Sequence, residues 1–401
     1  MQNDTVDFLI IGAGVIGLNL ALSLKRYFSD SCVCVIEKES EPGLHASGRN
    51  SGVLHAGFYY TADSRKARFC KEGNERLTEY CLDKGLPINR CGKLVVAADA
   101  SELEGLNELL RRGQANGVEL VCLDEDEAKG IEPRVKTFQK ALFSPTTATV
   151  SPQRVMQALI EDVKQAGVDV CTNEKFVSCK GNRVKTSHGA FDVAYVVNAA
   201  GLYADKIAMQ FGFSEQYRIL PFKGLYLYAN ASDAGVRTNI YPVPNLQQPF
   251  LGVHFTLDVE GKTKIGPTAI PAFWREQYGG MENFDATEML EILTRDLGLL
   301  YQNHFGFRRV AIEEMRKLSR RQMVRLADKM LSGLSQASFD QWGKPGIRAQ
   351  LVNIREKKLE MDFQCEGDDR SFHVLNAVSP AFTCSMPFAD FLRDEIVAHL
   401  N

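Results

Sequence analysis

The sequence predicts an α/β protein in which a split nucleotide-binding domain is interleaved with an α+β domain built on a mixed or antiparallel sheet. Three observations carry this expectation. Near the N-terminus a short apolar strand runs through a glycine-rich turn into an apolar helix. A second apolar strand of the same buried type returns at residues 193–197, far along the chain. From residue 219 to 270 the pattern changes to short strands broken by Pro and Gly, which reads as antiparallel sheet rather than βαβ. The 401 residues allow two or three domains at ~150 residues each.

Taken in order, residues 8–11 (Phe-Leu-Ile-Ile) form a strand halted by glycine, and residues 15–27 form a helix. Residues 32–36 are the next strand and close a βαβ unit. Helices are expected at 76–82 and 102–115, the second ending at Asn116-Gly117, with a strand at 93–98 between them. Ser151-Pro152 opens a helix with Val155, Leu159 and Val163 on one face: serine suits the cap and proline the first helical position. Helices at 288–300 and 311–330 follow the antiparallel region. The expected division is 1–88, 146–217 and 336–401 for the nucleotide-binding domain, and 89–145 and 218–335 for the second domain.

Composition removes several classes. An apolar share of 45% and a charged share of 24% exclude a disordered or collagenous chain. A formal net charge of −3 gives no general attraction for nucleic acid, and no nucleic-acid partner is expected. The ten cysteines include no Cys-x-x-Cys pair and show no metal-ligand spacing, so no metal is expected and the thiols suit a reducing, cytoplasmic setting. The apolar stretch 8–24 follows an acidic segment and is interrupted by Gly12, Gly14, Gly17 and Asn19, so it is neither a signal peptide nor a membrane span. A G-x-S-x-G elbow with Ser-His-Asp partners cannot be assembled, which removes hydrolase readings.

Gly12-x-Gly14-x-x-Gly17 lies between the first strand and its helix, the position of a Rossmann-type dinucleotide fingerprint. The first glycine permits the tight turn, the second admits a pyrophosphate, and the third lets helix and strand pack closely. The anion then meets the helix N-terminus at Val15 and Ile16. Glu37, twenty residues after Gly17, is placed to accept from a ribose hydroxyl. A glycine-rich structural turn is the plainer reading of the triplet alone; strand, helix and acid in register favour a bound adenine dinucleotide, without separating NAD from FAD.

Further motifs make that separation by resemblance. Residues 46–60 (Ala-Ser-Gly-Arg-Asn-Ser-Gly-Val-Leu-His-Ala-Gly-Phe-Tyr-Tyr) and 196–205 (Val-Val-Asn-Ala-Ala-Gly-Leu-Tyr-Ala-Asp) resemble the D-amino-acid-oxidase-like superfamily of FAD enzymes. Residues 239–244, 249–256, 346–350 and 376–381 narrow the likeness to L-2-hydroxyglutarate dehydrogenases and oxidases, and it runs almost to the C-terminus. Two departures are visible: Arg49 stands where that branch has histidine, and Val378 where it has proline. The resemblance implies FAD contacts at Lys38, Ser47, Asn50, Ser51, Gly52, Val177, Ala200, Gly201, Ser379, Pro380 and Ala381, besides the fingerprint residues. It also implies oxidation of a small 2-hydroxy diacid; oxygen, a membrane quinone and a soluble carrier all stand open as the electron acceptor. An amine or amino-acid oxidase of the same superfamily, or a flavin-binding protein without turnover, are the rival readings.

Oxidising a 2-hydroxy acid removes a hydride from C2 and a proton from its hydroxyl. The flavin takes the hydride, so the chain must supply a base and cations for two carboxylates. His55, in a Gly-flanked loop, and His254, in a branch-specific strand motif, are the candidate bases; structural hydrogen bonding is the plainer reading of each. Arg348, in a Gly-rich turn, is the expected carboxylate clamp against the default of a surface arginine, and Lys223 is a second cation against a solvated strand end. Tyr241 and Tyr59 either line the pocket or simply pack. His45, His188, His304, His373 and His399 are expected to be surface or structural.

On a helical wheel through 311–330, Ile312, Met315, Leu318, Met323, Leu326 and Met330 form one stripe beside a basic face. Two readings stand open: weak contact with an anionic membrane surface, peripheral on its inner face, or the plainer one, a stripe packed on the protein with its basic face in water.

Overall fold

The computed structural model describes residues 5–230, 235–245, 251–302 and 307–401, except for the side chains of 296–302, 307, 309, 310 and 336. The chain forms two compact units. One comprises Met1–Asn50, Pro152–Pro221 and Arg348–Asn401; the other comprises Ser51–Ser151 and Phe222–Ile347. Residues 51–88, which the sequence reading groups with the nucleotide-binding segments, thus cluster with the second unit.

In the first unit, parallel strands Asp169–Cys171, Val33–Ile36, Thr5–Ile11, Ala190–Asn198 and Ser371–Asn376 pair in that order. The hairpin Phe176–Lys180 and Arg183–Thr186 extends the sheet antiparallel from Ala190–Asn198, and Gln364–Gly367 pairs antiparallel with Ser371–Asn376. Residues such as Leu9, Ile10 and Val197 are buried, as a sheet covered on both faces requires. Helix Val15–Tyr27 packs on helices Pro152–Gln165 and Ala381–Leu400. Ser23 donates to Asp390 at 2.6 Å across the second of these contacts. Cys34 and Cys171, on neighbouring strands, bring their sulfurs to 3.9 Å as free thiols.

The second unit holds an eight-stranded sheet in the order Phe339–Trp342, Leu227–Ala229, Thr263–Gly266, His254–Leu257, Asn239–Pro242, Lys93–Val96, Ala141–Ser144, Val121–Leu123. Most pairs are antiparallel, but Asn239–Pro242 runs parallel to Lys93–Val96, so the sheet is mixed. Strand alternation divides its side chains between two cores. Leu94, Val96, Ile240, Phe255 and Ile265 join Met323, Val324, Ala327 and Met330 in one. Val95, Tyr241 and Leu142 meet Phe58, Tyr59, Leu106 and Leu109 in the other.

Two expected helices differ. The helix expected at 76–82 spans Arg65–Asp83, because Ser64 caps it by accepting from the Ala67 amide at 3.1 Å. The helix expected at 311–330 is two, Phe307–Arg316 and Arg320–Asp328, parted by a tight turn in which Ser319 takes an extended backbone. The single stripe is therefore divided: Met323 and Met330 are core, whereas Ile312, Met315 and Leu318 are about half exposed. Among the described residues no helix is long and apolar enough to cross a membrane.

The first helix sits against its strand through a bare glycine. A Cβ at Gly17 would lie 2.0 Å from the Gly12 carbonyl oxygen, a backbone atom that cannot swing aside. Gly17→Ala is expected to destabilise the cofactor-free protein by ~1–3 kcal/mol or more, read from urea unfolding. An unchanged midpoint would show that strand and helix can part there without penalty.

Candidate active site

In the first unit the strand ends Ile11 and Asn198 lie side by side, and the turns that follow them meet. Gly12 has φ +106°, and a Cβ there would come 2.6 Å from the Ala199 carbonyl oxygen. Gly14 differs: its φ of −77° suits any residue, and a Cβ would meet only Ser47 Oγ, at 3.1 Å. Backbone packing explains two of the three glycines; at Gly14 only the Ser47 hydroxyl comes near, at the helix N-terminus, where an anion is favoured. The Val15 amide donates to Ser47 Oγ at 2.9 Å, so the loop ahead of the second unit is tied to this turn. The buried Glu37 accepts from the Ala13 amide at 2.9 Å and from the Glu39 amide at 3.1 Å, which fixes a carboxylate at the end of the second strand with lone pairs to spare. These residues fit the adenine dinucleotide that the fingerprint implies.

The remaining first-unit candidates surround the same strand ends or lie away from them. Asn50 donates to the Ser47 carbonyl at 2.8 Å, and Lys38 pairs with Glu39. Gly201 has φ +53°, and Ala200 donates to the Asn198 side chain at 3.2 Å. Ser379 and Pro380 lead into helix Ala381–Leu400. Val177 is exposed on the outer hairpin, although Phe176 beside it is buried. Arg348 lies on strand Gly346–Asn353 rather than in a Gly-rich turn, because the glycine at 346 begins the strand; its Nε donates to Gln350 Oε1 at 3.1 Å. His373 is fully buried between Asn198 and Ser371, a structural role. His304, Pro249 and Phe250 lie outside the described residues.

In the second unit one face of the eight-stranded sheet gathers the chemistry. Phe255 and Ile265 point to the aliphatic core, so His254, Thr256 and Lys264 share the opposite face with Tyr241 and Lys93. The His254 and Tyr241 rings stack at 3.7 Å between centroids, 20° from parallel. His254 Nδ1 lies 3.0 Å from the Gly252 carbonyl; that oxygen can only accept, so Nδ1 carries the hydrogen and Nε2 keeps its lone pair. Burial, with Lys93 the leading charge, pushes the His254 imidazole down to about 3, and the same causes hold His55 well below the usual imidazole range. Lys264 Nζ donates to the Ser51 carbonyl at 3.1 Å and lies over the Tyr226 ring; burial lowers it to about 8. Ser51 and Gly52, expected beside the flavin, belong to this unit, and the Gly52 carbonyl accepts from Val150 at 2.8 Å. Lys223 is the penultimate residue of strand Tyr217–Gly224, its backbone pairs with Ile270, and it is half-buried rather than free in solvent.

Lys93 and Lys264 escape the sequence reading. Each opens or enters a four-residue strand buried throughout. A lysine inside a run that must be buried on both faces is the signal that could have marked them, since lysine is almost never fully buried without a reason.

Gly14→Val is expected to leave the apoprotein folded, with stability within ~1–2 kcal/mol of wild type, while abolishing retention of FAD. Flavin absorbance of the purified variant checks it: a fully yellow, folded Gly14→Val protein would remove the pyrophosphate from this turn.

The profile of the FAD dependent oxidoreductase family matches residues 7–392. The chain is 34% identical over 398 residues to the L-2-hydroxyglutarate dehydrogenase of Escherichia coli (strain K12), covering 97% of this chain and 93% of that protein. It is 35% identical over 413 residues to the mitochondrial L-2-hydroxyglutarate dehydrogenase of Mus musculus, covering 96% and 87%. Among solved structures, the FAD-bound L-alpha-glycerophosphate oxidase of Mycoplasma pneumoniae superposes with a TM-score of 0.76 at 22% identity, over 99% of this chain and 95% of that one. Glycine oxidase from Geobacillus kaustophilus gives 0.70 at 18%, over 98% and 95%; at such identities the likeness is one of fold. The glycine turn and Glu37, the mixed α/β architecture and a match across nearly the whole length lead to one conclusion: the chain belongs to the FAD dependent oxidoreductase family.

Proposed function

We propose that the protein oxidises L-2-hydroxyglutarate to 2-oxoglutarate. The observation that carries this reading is full-length similarity, at about one residue in three, to proteins named L-2-hydroxyglutarate dehydrogenase. Bound FAD supplies the acceptor for the hydride that leaves C2. The chain supplies the rest. His254 offers Nε2 to the C2 hydroxyl proton, held in one tautomer by the Gly252 carbonyl and in one plane by Tyr241. His55 is the alternative acceptor. A diacid brings two negative charges, which raise the proton affinity of a buried imidazole, so substrate itself brings the base toward its working range.

Arg348 anchors one carboxylate through its two-pronged guanidinium, and Lys223 is the second cation. Gly12, Gly14, Gly17, Glu37, Ser47 and Ala200 hold the cofactor in this reading. Oxygen or a membrane quinone is the electron acceptor in this reading. The half-exposed Ile312, Met315 and Leu318, with the exposed Arg316, Arg320 and Arg321 around them, support weak contact with an anionic lipid surface. Pelleting with anionic liposomes at low salt is the expected outcome there, and its absence would remove the membrane contact.

A panel of 2-hydroxy and 2-amino acids, mixed anaerobically with the enzyme, tests the reaction. L-2-hydroxyglutarate should bleach the flavin far faster than any amino acid or monoacid; preferential bleaching by an amino acid would overturn the reading. Arg348→Lys keeps the charge and loses the fork, so kcat/KM should fall about ten- to hundredfold, equivalent to roughly 1.5–3 kcal/mol. Unaltered kinetics would remove Arg348 from the carboxylate site.

A further inference from the structure

The reaction as proposed uses a histidine and leaves a buried cation without a task. Lys93 is completely buried, and its Nζ has no hydrogen-bond partner among the described residues. It sits over three aromatic rings: 4.4 Å from the Tyr241 centroid, 5.2 Å from Tyr59 and 5.4 Å from Phe58. Tyr241 is the ring on which His254 stacks. A cation is attracted to an aromatic face, yet aromatic rings satisfy none of its three donors. Methionine would fill the same space without leaving three donors unsatisfied.

We propose that Lys93 is a positioning residue for the histidine base: the positive charge this cluster holds resides on Lys93 Nζ against Tyr241, and it adds to burial in keeping the His254 and His55 imidazoles unprotonated and ready to accept. The groups facing the cluster are consistent with this. Lys93 lies among Tyr59, Tyr241, Cys70, Cys91 and the two histidines, with no carboxylate among the charges acting on it. The charges acting on His254 are those of Lys93, Lys264 and Lys317, the last of them paired with Glu314. A second proton placed on either imidazole would therefore meet like charge in a medium that screens little. Burial lowers Lys93 to about 7, still well above His254 at about 3, so as pH falls the first proton goes to the amine.

The effect on catalysis rests on the proposed reaction; the effect on protonation does not, and the two are read separately. In holoenzyme carrying 15N-histidine, with the two rings assigned from His55→Gln and His254→Gln, both imidazoles should keep neutral-ring shifts from about pH 9 to about pH 5. In Lys93→Met at least one ring should acquire a midpoint inside that range, and in Lys93→Arg neither should. Wild-type rings that titrate near 6.5 would overturn the inference without need of a variant, and so would a Lys93→Met titration identical to wild type. In kinetics, the ratio of kcat/KM at about pH 8.5 to that at about pH 6 should rise in Lys93→Met by up to tenfold for each unit by which the histidine midpoint exceeds about 6. A merely structural lysine would lower the rate equally at both. If a ring midpoint rises above about 6 while the ratio stays put, Lys93 keeps its electrostatic role and the histidine loses its place as the proton acceptor.

Discussion

The second unit depends on a sheet that is buried on both faces by unlike cores. On one side aliphatic residues of strands Lys93–Val96, Asn239–Pro242, His254–Leu257 and Thr263–Gly266 meet the methionines of helix Arg320–Asp328 and its flank. On the other side the same strands present Lys93, Tyr241, His254 and Lys264. Because side chains alternate with a period of two, a slip of one residue in any of these strands would exchange the faces. It would drive an imidazole or an ammonium into the core formed by Met323, Phe339 and Leu331. The aliphatic core therefore sets the register, and the register assembles the polar face.

Electrostatics on that face follows from burial. Desolvation is the leading cause for Lys93, Lys264, His254 and His55, and in every case it disfavours the positive form. The tyrosines move in the complementary direction: burial raises Tyr59, Tyr226 and Tyr241, so none of them offers a compensating anion. Such a surface is poor in negative charge and rich in groups that gain protons once an anion arrives. It suits a diacid on physical grounds, since carboxylates would supply the charge that the chain withholds.

The nucleotide turn of the first unit works by a different economy of atoms. Gly12 and Gly17 lack side chains because backbone oxygens occupy the space, whereas at Gly14 only the Ser47 hydroxyl comes close. Glu37 and Ser47 accept amide hydrogens of the turn and its helix, which holds both oxygen-bearing side chains in fixed positions.

Local pattern was enough for the βαβ start, the glycine turn, Glu37 and the family likeness, because each depends on neighbours close in sequence or on a contiguous motif. It placed helix Val15–Tyr27 to the residue, since a glycine bounds it on one side and a polar loop on the other. Other features came only with the fold. Helix Arg65–Asp83 begins eleven residues before the expected 76, where a serine cap is visible only once the turn before it is known. The 311–330 wheel assumed an unbroken helix, and the turn at Ser319 ends it; a wheel has no means of registering a break between two well-patterned halves. Residues 51–88 joined the second unit through pairing of Val53–Leu54 with Ala148–Val150, a contact nearly a hundred residues away. Lys93 entered the sequence reading only as the first residue of a strand. Its character comes from Tyr241 and His254, about 150 residues further on, and only strand pairing brings a cation, a ring and a base onto one face.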